Sequence, residues 1–363
     1  MLNDITIQSA AALGLPTNEN GILAKRPYIS THGKLKGQAV VAYNTGQMDN
    51  NGQWVYTEKP VTNATLRHEE WINLEDQIIE SARERLVIVD DLQAAGLTYN
   101  TGGLGTIISE WETASEMTDA EVTMDGESKA DKDRQEFGMD GVPIPVIQKP
   151  FSIGERMLLA SRQRGSALDV TQGVEAARAV ARKSEYIVFY GASIGKVQAR
   201  SGDKYDIPGL CTFTDRGIFQ IRDWSDDTVT PEQIFEDILK MVKQAETEER
   251  RYGPFTLYIP GVYAYRFRED FKEYSDKTLM QRVTDEDSIT RVRVSDTLND
   301  GDVVLVEMSR DVLDLAIGSD ITTIQWASGS GWTNHFQVFA AWAPRLKKDF
   351  DGHCGIIHGT TTT

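Results

Sequence analysis

Residues 109–146, SEWETASEMTDAEVTMDGESKADKDRQEFGMDGVPIPV, are the stretch that decides the fold. Residues 109–141 hold eleven Asp or Glu and only three Lys or Arg, an excess of eight negative charges. Apolar and polar residues alternate on both sides of Asp125-Gly126, a dipeptide typical of hairpin turns. The pattern predicts a long polar two-stranded hairpin. Since Pro143 and Pro145 cannot donate ladder hydrogen bonds, its returning strand is expected at a sheet edge or in irregular pairing.

This hairpin needs a partner surface. A two-stranded ribbon is marginally stable alone in water, and this one concentrates negative charge. We therefore expect it to dock on basic side chains of an adjacent subunit. The acidic candidates at its tip are Glu127, Asp131 and Asp133. The basic candidates around the following helix are Arg156, Arg162, Arg164, Arg178 and Arg182.

Two further helices are predicted downstream. An apolar stripe at Val170, Val174, Ala177 and Ala181 indicates a helix over 167–185, which runs into the apolar segment 186–190. The segment 191–208 has the composition of a loop. A helix over about 231–250 is expected to begin with a capping box, because Thr230 is followed by Pro231 and Gln233.

Upstream of the hairpin, apolar residues at three- and four-residue steps from Trp71 to Leu86 predict a helix over 66–95 that ends at Gly96. Residues 1–65 are rich in Asn, Gly and Thr, which indicates an irregular arm. Tyr43, Trp54 and Tyr56 are too apolar for a solvated tail, so the arm is expected to contact other subunits, with Trp54 and Tyr56 as candidate contacts.

The carboxy-terminal half favours strands. Residues 255–259 and 303–306 have the composition of buried strands, and 323–326 and 336–339 alternate as half-covered strands do. Helices and strands are mixed without a regular alternation, which favours an α+β fold. The last residues, ending in four threonines, are expected to form a loose tail.

Composition narrows the functional class. The chain has 363 residues, 40% of them hydrophobic, and a formal net charge of −17, which argues against a sequence-reading nucleic-acid binder. No run approaches the roughly 18 apolar residues of a membrane span. The amino terminus does not resemble a signal peptide, which favours synthesis in the cytoplasm, where Cys211 and Cys354 would be reduced thiols.

The motifs that could carry chemistry do not match their templates. Residues 191–196, GASIGK, are one residue short of a phosphate-binding loop, and Val197 stands where a metal-binding hydroxyl is needed. His353, Cys354 and His358 lack a fourth metal ligand nearby. The sequence therefore predicts no cofactor, no metal and no enzymatic activity.

The order of segments over residues 66–345 resembles bacteriophage major capsid proteins of the Hong Kong 97 fold, and in particular their encapsulin-like branch. The similar stretches are 66–71 (LRHEEW), 96–105 (GLTYNTGGLG), 143–153 (PIPVIQKPFSI), 207–210 (IPGL) and 252–257 (YGPFTL).

This resemblance implies a peripheral (P) domain, an axial (A) domain, an extended E-loop, a spine helix and an amino-terminal arm. The implied division of the chain is an arm at 1–65, the amino-terminal helix region of the P domain at 66–99, the E-loop at 100–150, the P domain with the spine helix at 151–208, the A domain at 209–308, a return to the P domain at 309–348 and a carboxy-terminal tail at 349–363.

The resemblance also implies a function. Such subunits self-assemble into pentamers and hexamers of an icosahedral phage head, and they enclose double-stranded DNA without sequence-specific binding. A portal, and scaffolding or decoration proteins, would be its partners in a virion made in the host cytoplasm, with no membrane. The alternative is an encapsulin shell that encloses a cargo enzyme. The long arm, unusual in encapsulins, favours the phage head.

Overall fold

The computed structural model describes residues 28–29, 39–48, 54–60, 68–83, 86–115, 124, 135, 137–164, 171–195, 204–272, 277–327, 332–349 and 351–361. These residues form a mixed helix and sheet structure, which confirms the predicted α+β class. The helices are α1 (His68–Arg83), α2 (Ile88–Ala94), α3 (Glu155–Arg164), α4 (Thr171–Tyr190), α5 (Pro231–Thr247) and α6 (Leu279–Thr284). None of them is long and apolar enough to cross a membrane.

Within the described ranges, the strands form five sheets. In chain order they are β1 (Tyr28–Ile29), β2 (Ala39–Met48), β3 (Trp54–Pro60), β4 (Thr98–Asn100), β5 (Ile108–Ala114), β6 (Phe137–Pro143), β7 (Val146–Gly154), β8 (Ala192–Gly195), β9 (Lys204–Ile207), β10 (Gly217–Gln220), β11 (Phe255–Pro260), β12 (Ile289–Ser295), β13 (Asp302–Glu307), β14 (Leu313–Ala327), β15 (Thr333–Leu346) and β16 (Ile356–Thr360). The sheets are β1-β2-β3, β4-β14-β15-β7, β10-β16-β13-β11-β12, and the pairs β5-β6 and β8-β9.

The chain divides into two compact units. One contains residues 1–76, 151–170 and 325–336, and the other contains 77–150, 171–324 and 337–363. In the first unit, Phe151 stacks on Phe336 with ring centroids 5.0 Å apart. The second unit holds the main core, which is described next.

The five-stranded sheet and helix α5 share this core. All six residues of β11 are buried, as its continuous apolar run predicts for a central strand. Helix α5 begins with the expected capping box, in which Thr230 and Gln233 bond each other's backbone N–H. Ile234, Ile238 and Met241 on its inner face are fully buried against the sheet.

The carboxy-terminal segment is not a loose tail, so that prediction is wrong. Strand β16 lies between β10, which it pairs in parallel, and β13, which it pairs antiparallel. Ile356 and Ile357 are fully buried. Two adjacent isoleucines inserted between two strands gain more from burial and pairing than the loss of chain entropy costs. The sheet of the expected A domain therefore includes residues far outside 209–308.

The first predicted helix is two helices. Leu74, Ile78 and Ala82 of α1 are buried, as the apolar spacing predicts, but α1 ends at Arg83 and α2 begins at Ile88. Gly96 is the helix stop as predicted. Its φ is +69°, its N–H bonds Gln93 O, and the N–H of Leu97 bonds Leu92 O, which is the Schellman arrangement.

The spine helix continues further than the predicted 167–185. Helix α4 includes the apolar residues 186–190, and Gly191 ends it with φ +72°. A Cβ at Gly191 would lie 2.0 Å from Ile207 O, so no side chain fits there. Residues 192–195 and 204–207 do not form the expected loop, because they are the antiparallel strands β8 and β9. Helix α3 was not anticipated from the sequence.

The amino-terminal segment contains paired strands. Strands β2 and β3 pair antiparallel, with Val40 opposite Pro60, and β1 adds to β2. The expectation of an irregular arm is therefore wrong for these residues. Their β-branched and aromatic content favours strands, and pairing satisfies backbone groups that an extended arm would leave to water.

Candidate assembly surfaces

The predicted hairpin is present at its base. Strand β5 pairs antiparallel with β6 in continuous register, from Ile108 opposite Pro143 to Ala114 opposite Phe137. Pro143 is the last residue of β6, where its missing N–H costs no ladder bond. We name the face that carries Ile108, Glu110, Glu112, Phe137 and Met139 the outer hairpin face. These side chains are exposed, and Phe137 and Met139 are 69% and 67% accessible.

The root of the hairpin is held by Arg345. This buried side chain forms a two-bond ion pair with Asp314, each bond 2.5 Å long, and donates to Ser109 Oγ at 3.4 Å. Its guanidinium group lies 3.9 Å from the ring centroid of Tyr99 and 5.6 Å from that of Trp111. A planar cation between two rings and a carboxylate fixes four strands, β4, β5, β14 and β15, to one another.

Helix α4 has a buried face and a basic exposed face. Ala177, Val180 and Ala181 are buried, whereas Arg182 and Lys183 are exposed. Arg178 forms an ion pair of 2.8 Å with Glu175 one turn away. Arg182 is therefore exposed and Arg178 is half-buried, and contact of either residue with an acidic surface of another subunit stays a prediction.

Three other predicted groups lie partly or wholly outside the described residues. Glu127, Asp131 and Asp133 are outside them, so their contacts stay a prediction. Arg162 and Arg164 lie in the last turn of α3, and Trp54 and Tyr56 lie in β3. The structure describes the backbone of these four residues and not their side chains, so their contacts also stay a prediction. Arg156, also in α3, is exposed.

Glu185 joins the spine helix to α2. It is completely buried, and one carboxylate oxygen accepts the N–H of Val89 at 3.3 Å. Burial raises the pKa of Glu185 to about 8, and the backbone N–H groups at the start of α2 offset only part of that rise. The other oxygen has no hydrogen-bond partner among the residues that the structure describes. This arrangement favours a protonated carboxyl group at neutral pH.

Asp91 of α2 joins that helix to the five-stranded sheet. It accepts the hydroxyl of Tyr258 in β11 at 3.1 Å and the guanidinium of Arg293 in β12 at 3.0 Å. Tyr258 also meets Phe189 of α4 edge to face, with centroids 5.7 Å apart. Helices α2 and α4 are therefore tied to the same strand, β11.

The end of α4 is tied to the same sheet a second time. Tyr190 donates to Asp302 at 2.9 Å, and His358 of β16 contacts the other oxygen of Asp302 at 3.1 Å. Burial raises the pKa of Asp302, but the bonds from His358 and Tyr190 outweigh it and lower the pKa overall. The last carbonyls of α4, at Val188 and Phe189, accept N–H groups of Leu210 and Cys211.

The residues considered for metal or nucleophilic chemistry have structural partners. His353 contacts Asp349 at 3.1 Å, and the Cys354 thiol contacts Asp215 O at 3.1 Å. Both cysteines are free and buried, and burial raises the pKa of each thiol to about 12. Among the described residues, no group of three or more His, Cys, Asp or Glu is arranged to hold a metal ion.

Sequence reasoning missed the buried ionisable residues Arg345, Asp314, Glu185 and Asp91. Their burial depends on elements far apart in the chain, and no local pattern marks them. Arg345 is the partial exception, because it interrupts the apolar run of residues 338–346.

A family model described as a family of unknown function, DUF6260, matches residues 61–359. The chain belongs to the DUF6260 family.

Two curated proteins resemble this DUF6260 member in sequence. The type 1 encapsulin shell protein EncA of Myxococcus xanthus is 28% identical over 299 residues, which cover 78% of this chain and 90% of that protein. The diheme-cytochrome-encapsulin shell fusion protein of Kuenenia stuttgartiensis is 27% identical over 216 residues, which cover 56% of this chain and 51% of that protein.

Solved structures give the fold. The virus-like particle of Pyrococcus furiosus matches with a TM-score of 0.55 and 17% identity, covering 80% of this chain and 98% of that one. The capsid of Myoviridae phage XM1 matches with a TM-score of 0.57 and 13% identity, covering 75% and 91%. The DUF6260 member has the Hong Kong 97 fold, as predicted, and its sequence is similar to those of encapsulin shell proteins.

Proposed function

We propose that this chain is the major capsid subunit of a phage head, which assembles as pentamers and hexamers into an icosahedral shell around double-stranded DNA. The observation that carries the proposal is the outer hairpin face. Phe137 and Met139 are more than half exposed on a ribbon that is marginal by itself. Such a surface gains stability by packing on another subunit.

The root of the hairpin supports this role. Arg345 and Asp314 hold strand β5 firmly to the sheet, so the projecting part is presented in a defined direction. A hairpin with a fixed base and an exposed apolar outer face is suited to contact the same surface on every neighbouring copy. We also propose the domain boundaries that the resemblance implies, with strand β16 added to the A domain.

The charge of the chain is compatible with DNA as the content. A net charge of −17 disfavours tight binding to phosphates. A wall that must release its contents benefits from weak attraction to them. Portal, scaffolding or decoration proteins, and a location in the virion, belong to this proposal, as does the absence of enzymatic activity.

The second candidate is the shell of an encapsulin nanocompartment. One observation favours it, namely that the alignment with the Myxococcus xanthus encapsulin shell protein covers 90% of that protein. In this case the shell would enclose a cargo protein.

Electron microscopy of the purified full chain tests the shell itself. We expect closed icosahedral particles. A chain that stays monomeric at high concentration, with scaffold and portal proteins supplied, would contradict the shell.

The contents of particles purified from the native source separate the two candidates. Nuclease-protected double-stranded DNA supports the phage head. Particles without DNA but with one abundant co-purified enzyme support the nanocompartment.

A further inference from the structure

A buried carboxyl group links the spine helix to α2. Glu185 of α4 is completely buried, as are Ile88, Val89 and Leu92 of α2. One carboxylate oxygen accepts the N–H of Val89 at 3.3 Å, whereas the other has no hydrogen-bond partner among the described residues. Ionisation of a carboxyl group in such a place is costly, because a buried charge needs a counter-charge or several hydrogen bonds.

Helix α2 has no amino-terminal cap of its own. The residue that precedes it is Val87, whose side chain has no oxygen to accept a backbone N–H. The acceptor comes instead from Glu185, which lies 96 residues away from Val89 in the chain. A helix of seven residues is not stable by itself, so the position of α2 depends on such tertiary contacts.

The acidic groups around Glu185 oppose its ionisation. Burial raises its pKa to about 8, the backbone N–H groups of residues 87–89 offset part of that rise, and Asp90 of α2 adds to it. On β11, burial and Asp91 raise the pKa of Tyr258, and Glu185 adds to that rise as well. An ionised Glu185 would therefore meet the like charge of Asp90 in a place that excludes water.

The cations of this region are engaged by the aspartates. Arg293 of β12 donates to Asp91 at 3.0 Å, and Arg291 of the same strand lies 3.8 Å from the other oxygen of Asp91. Burial raises the pKa of Asp90, and Arg83 at the end of α1 offsets part of that rise. Within the described ranges no cation pairs with the buried carboxyl group of α4, so this group becomes neutral by binding a proton.

We propose that the joint formed by Glu185, residues 87–89 of α2 and Tyr258 of β11 is a proton-operated latch. The protonated carboxyl group keeps the start of α2 closed against the spine helix. When the joint opens, the carboxyl group reaches water and releases its proton to it, so opening becomes easier as the pH rises. The five-stranded sheet stays folded during this opening. The latch is a property of the folded subunit and holds for either candidate function.

Hydrogen exchange of the full chain, followed by mass spectrometry, tests the latch. Opening releases one proton between the ordinary glutamate pKa of 4.5 and the folded pKa of about 8. After correction for the intrinsic exchange rate, the protection of residues 86–95 should therefore fall about tenfold per pH unit between pH 5 and pH 8 and then level off. Residues 255–260 of β11 should be at least about tenfold better protected throughout, because they exchange only when the sheet unfolds.

Three variants locate the proton. Glu185→Gln removes the titrating group and keeps an acceptor for the N–H of Val89, so the protection of residues 86–95 should become independent of pH. Glu175→Gln, at an exposed position on the same helix, is the matched control and should keep the wild-type slope. Asp90→Asn removes the neighbouring like charge, so the levelling-off should move to lower pH.

Two results would overturn the latch, and neither bears on the shell. If residues 86–95 and 255–260 share one protection at every pH, the joint opens only when the whole subunit unfolds. If wild type and Glu185→Gln have equal slopes, another group binds the proton. Circular dichroism checks that each variant folds, and if Glu185→Gln does not, the wild-type comparison and Asp90→Asn decide between these outcomes.

Discussion

Buried ionisable residues mark the places where separate elements of this chain meet. Arg345 lies where strands β4, β5, β14 and β15 converge, Asp91 links α2 to the five-stranded sheet, and Glu185 links α4 to the start of α2. A buried charge is costly unless it is well paired, so each of these sites is sensitive to the loss of one partner.

Arg345→Leu should destabilise the subunit by about 3–5 kcal/mol, because buried Asp314 then keeps Lys347 as its one ion-pair partner among the described residues. Urea unfolding of the unassembled subunit measures this. Arg345→Met combined with Asp314→Leu should recover much of the loss. Arg291→Ala, at an exposed cation 3.8 Å from Asp91, is the control and should cost less than about 1 kcal/mol. Equal losses for Arg345→Leu and the control would contradict this account.

Glu185 predicts a pH dependence of stability. Its folded pKa of about 8 lies above the ordinary glutamate pKa of 4.5, so the folded state binds the proton more tightly. Its contribution is fully present below pH 4.5 and is lost as the pH rises through 8, by up to about 1.4 kcal/mol per pH unit.

Glu185→Gln should therefore flatten the fall in the free energy of unfolding between pH 5 and pH 8. Glu175→Gln, at an exposed position on the same helix, should leave the wild-type slope in place. Identical slopes for wild type and Glu185→Gln would show that the carboxyl group is ionised in the folded subunit.

At the scale of elements, two segments have contrasting roles. Strand β16 is held between two neighbours and completes a sheet, whereas the hairpin β5-β6 has no strand beside it in the described part of the chain. The first is a component of the subunit core and the second is offered to other copies. Substitutions in them should accordingly affect folding and assembly, respectively.

Ile357→Ala should cost about 2–5 kcal/mol, because the side chain is fully buried in the core between β16 and α5. The control is Ile218→Ala on the neighbouring strand β10, where the side chain is 57% exposed, and it should change stability by less than about 0.5 kcal/mol. Urea unfolding compares the two. A loose tail would make both substitutions neutral.

Charge reversal at the hairpin tip should impair assembly. The combined variant Glu127→Lys, Asp131→Lys and Asp133→Lys removes three of the eleven acids in residues 109–141. Each single change should weaken the contact by only about 0–1 kcal/mol. Reversal of the exposed acids Asp227, Glu248 and Asp287 is the matched control. Sedimentation measures particle yield. Normal yield and melting of the first variant would show that this charge is solvated surface.

At the scale of the whole molecule, the proposed shell makes stability a collective property. A contact worth a fraction of a kcal/mol is repeated at every equivalent interface, so it can decide how the shell closes. The amino-terminal strands and the hairpin are the two segments that we expect to act in this way.

Deletion of residues 1–60 should leave the subunit folded and lower the temperature at which particles dissociate. The reason is that the aromatic residues of β2 and β3 are expected to pack on other subunits. Deletion of residues 1–20 keeps β1, β2 and β3 and serves as the control. Thermal dissociation followed by light scattering gives the comparison. Equal dissociation temperatures for all three proteins would show that the arm contributes nothing to the shell.

Local pattern alone determined a good part of this protein. Four features can be predicted from the sequence because each depends on residues close together in the chain. They are the capping box at Thr230, the helix stop at Gly96, the buried strand at 255–259 and the paired base of the acidic hairpin. The resemblance over residues 66–345 also predicted the fold and the assembly into a shell.

The tertiary structure alone decided the rest. Strand β16 joins the sheet only because β10 and β13 leave a gap that two isoleucines fill, and α4 continues to Tyr190 because distant segments bury its last turns. The linking roles of Arg345 and Glu185 are visible only in the folded chain, because their partners lie 236 and 96 residues away in the sequence. Burial and pairing across such distances follow from packing, which no local spacing of residues records.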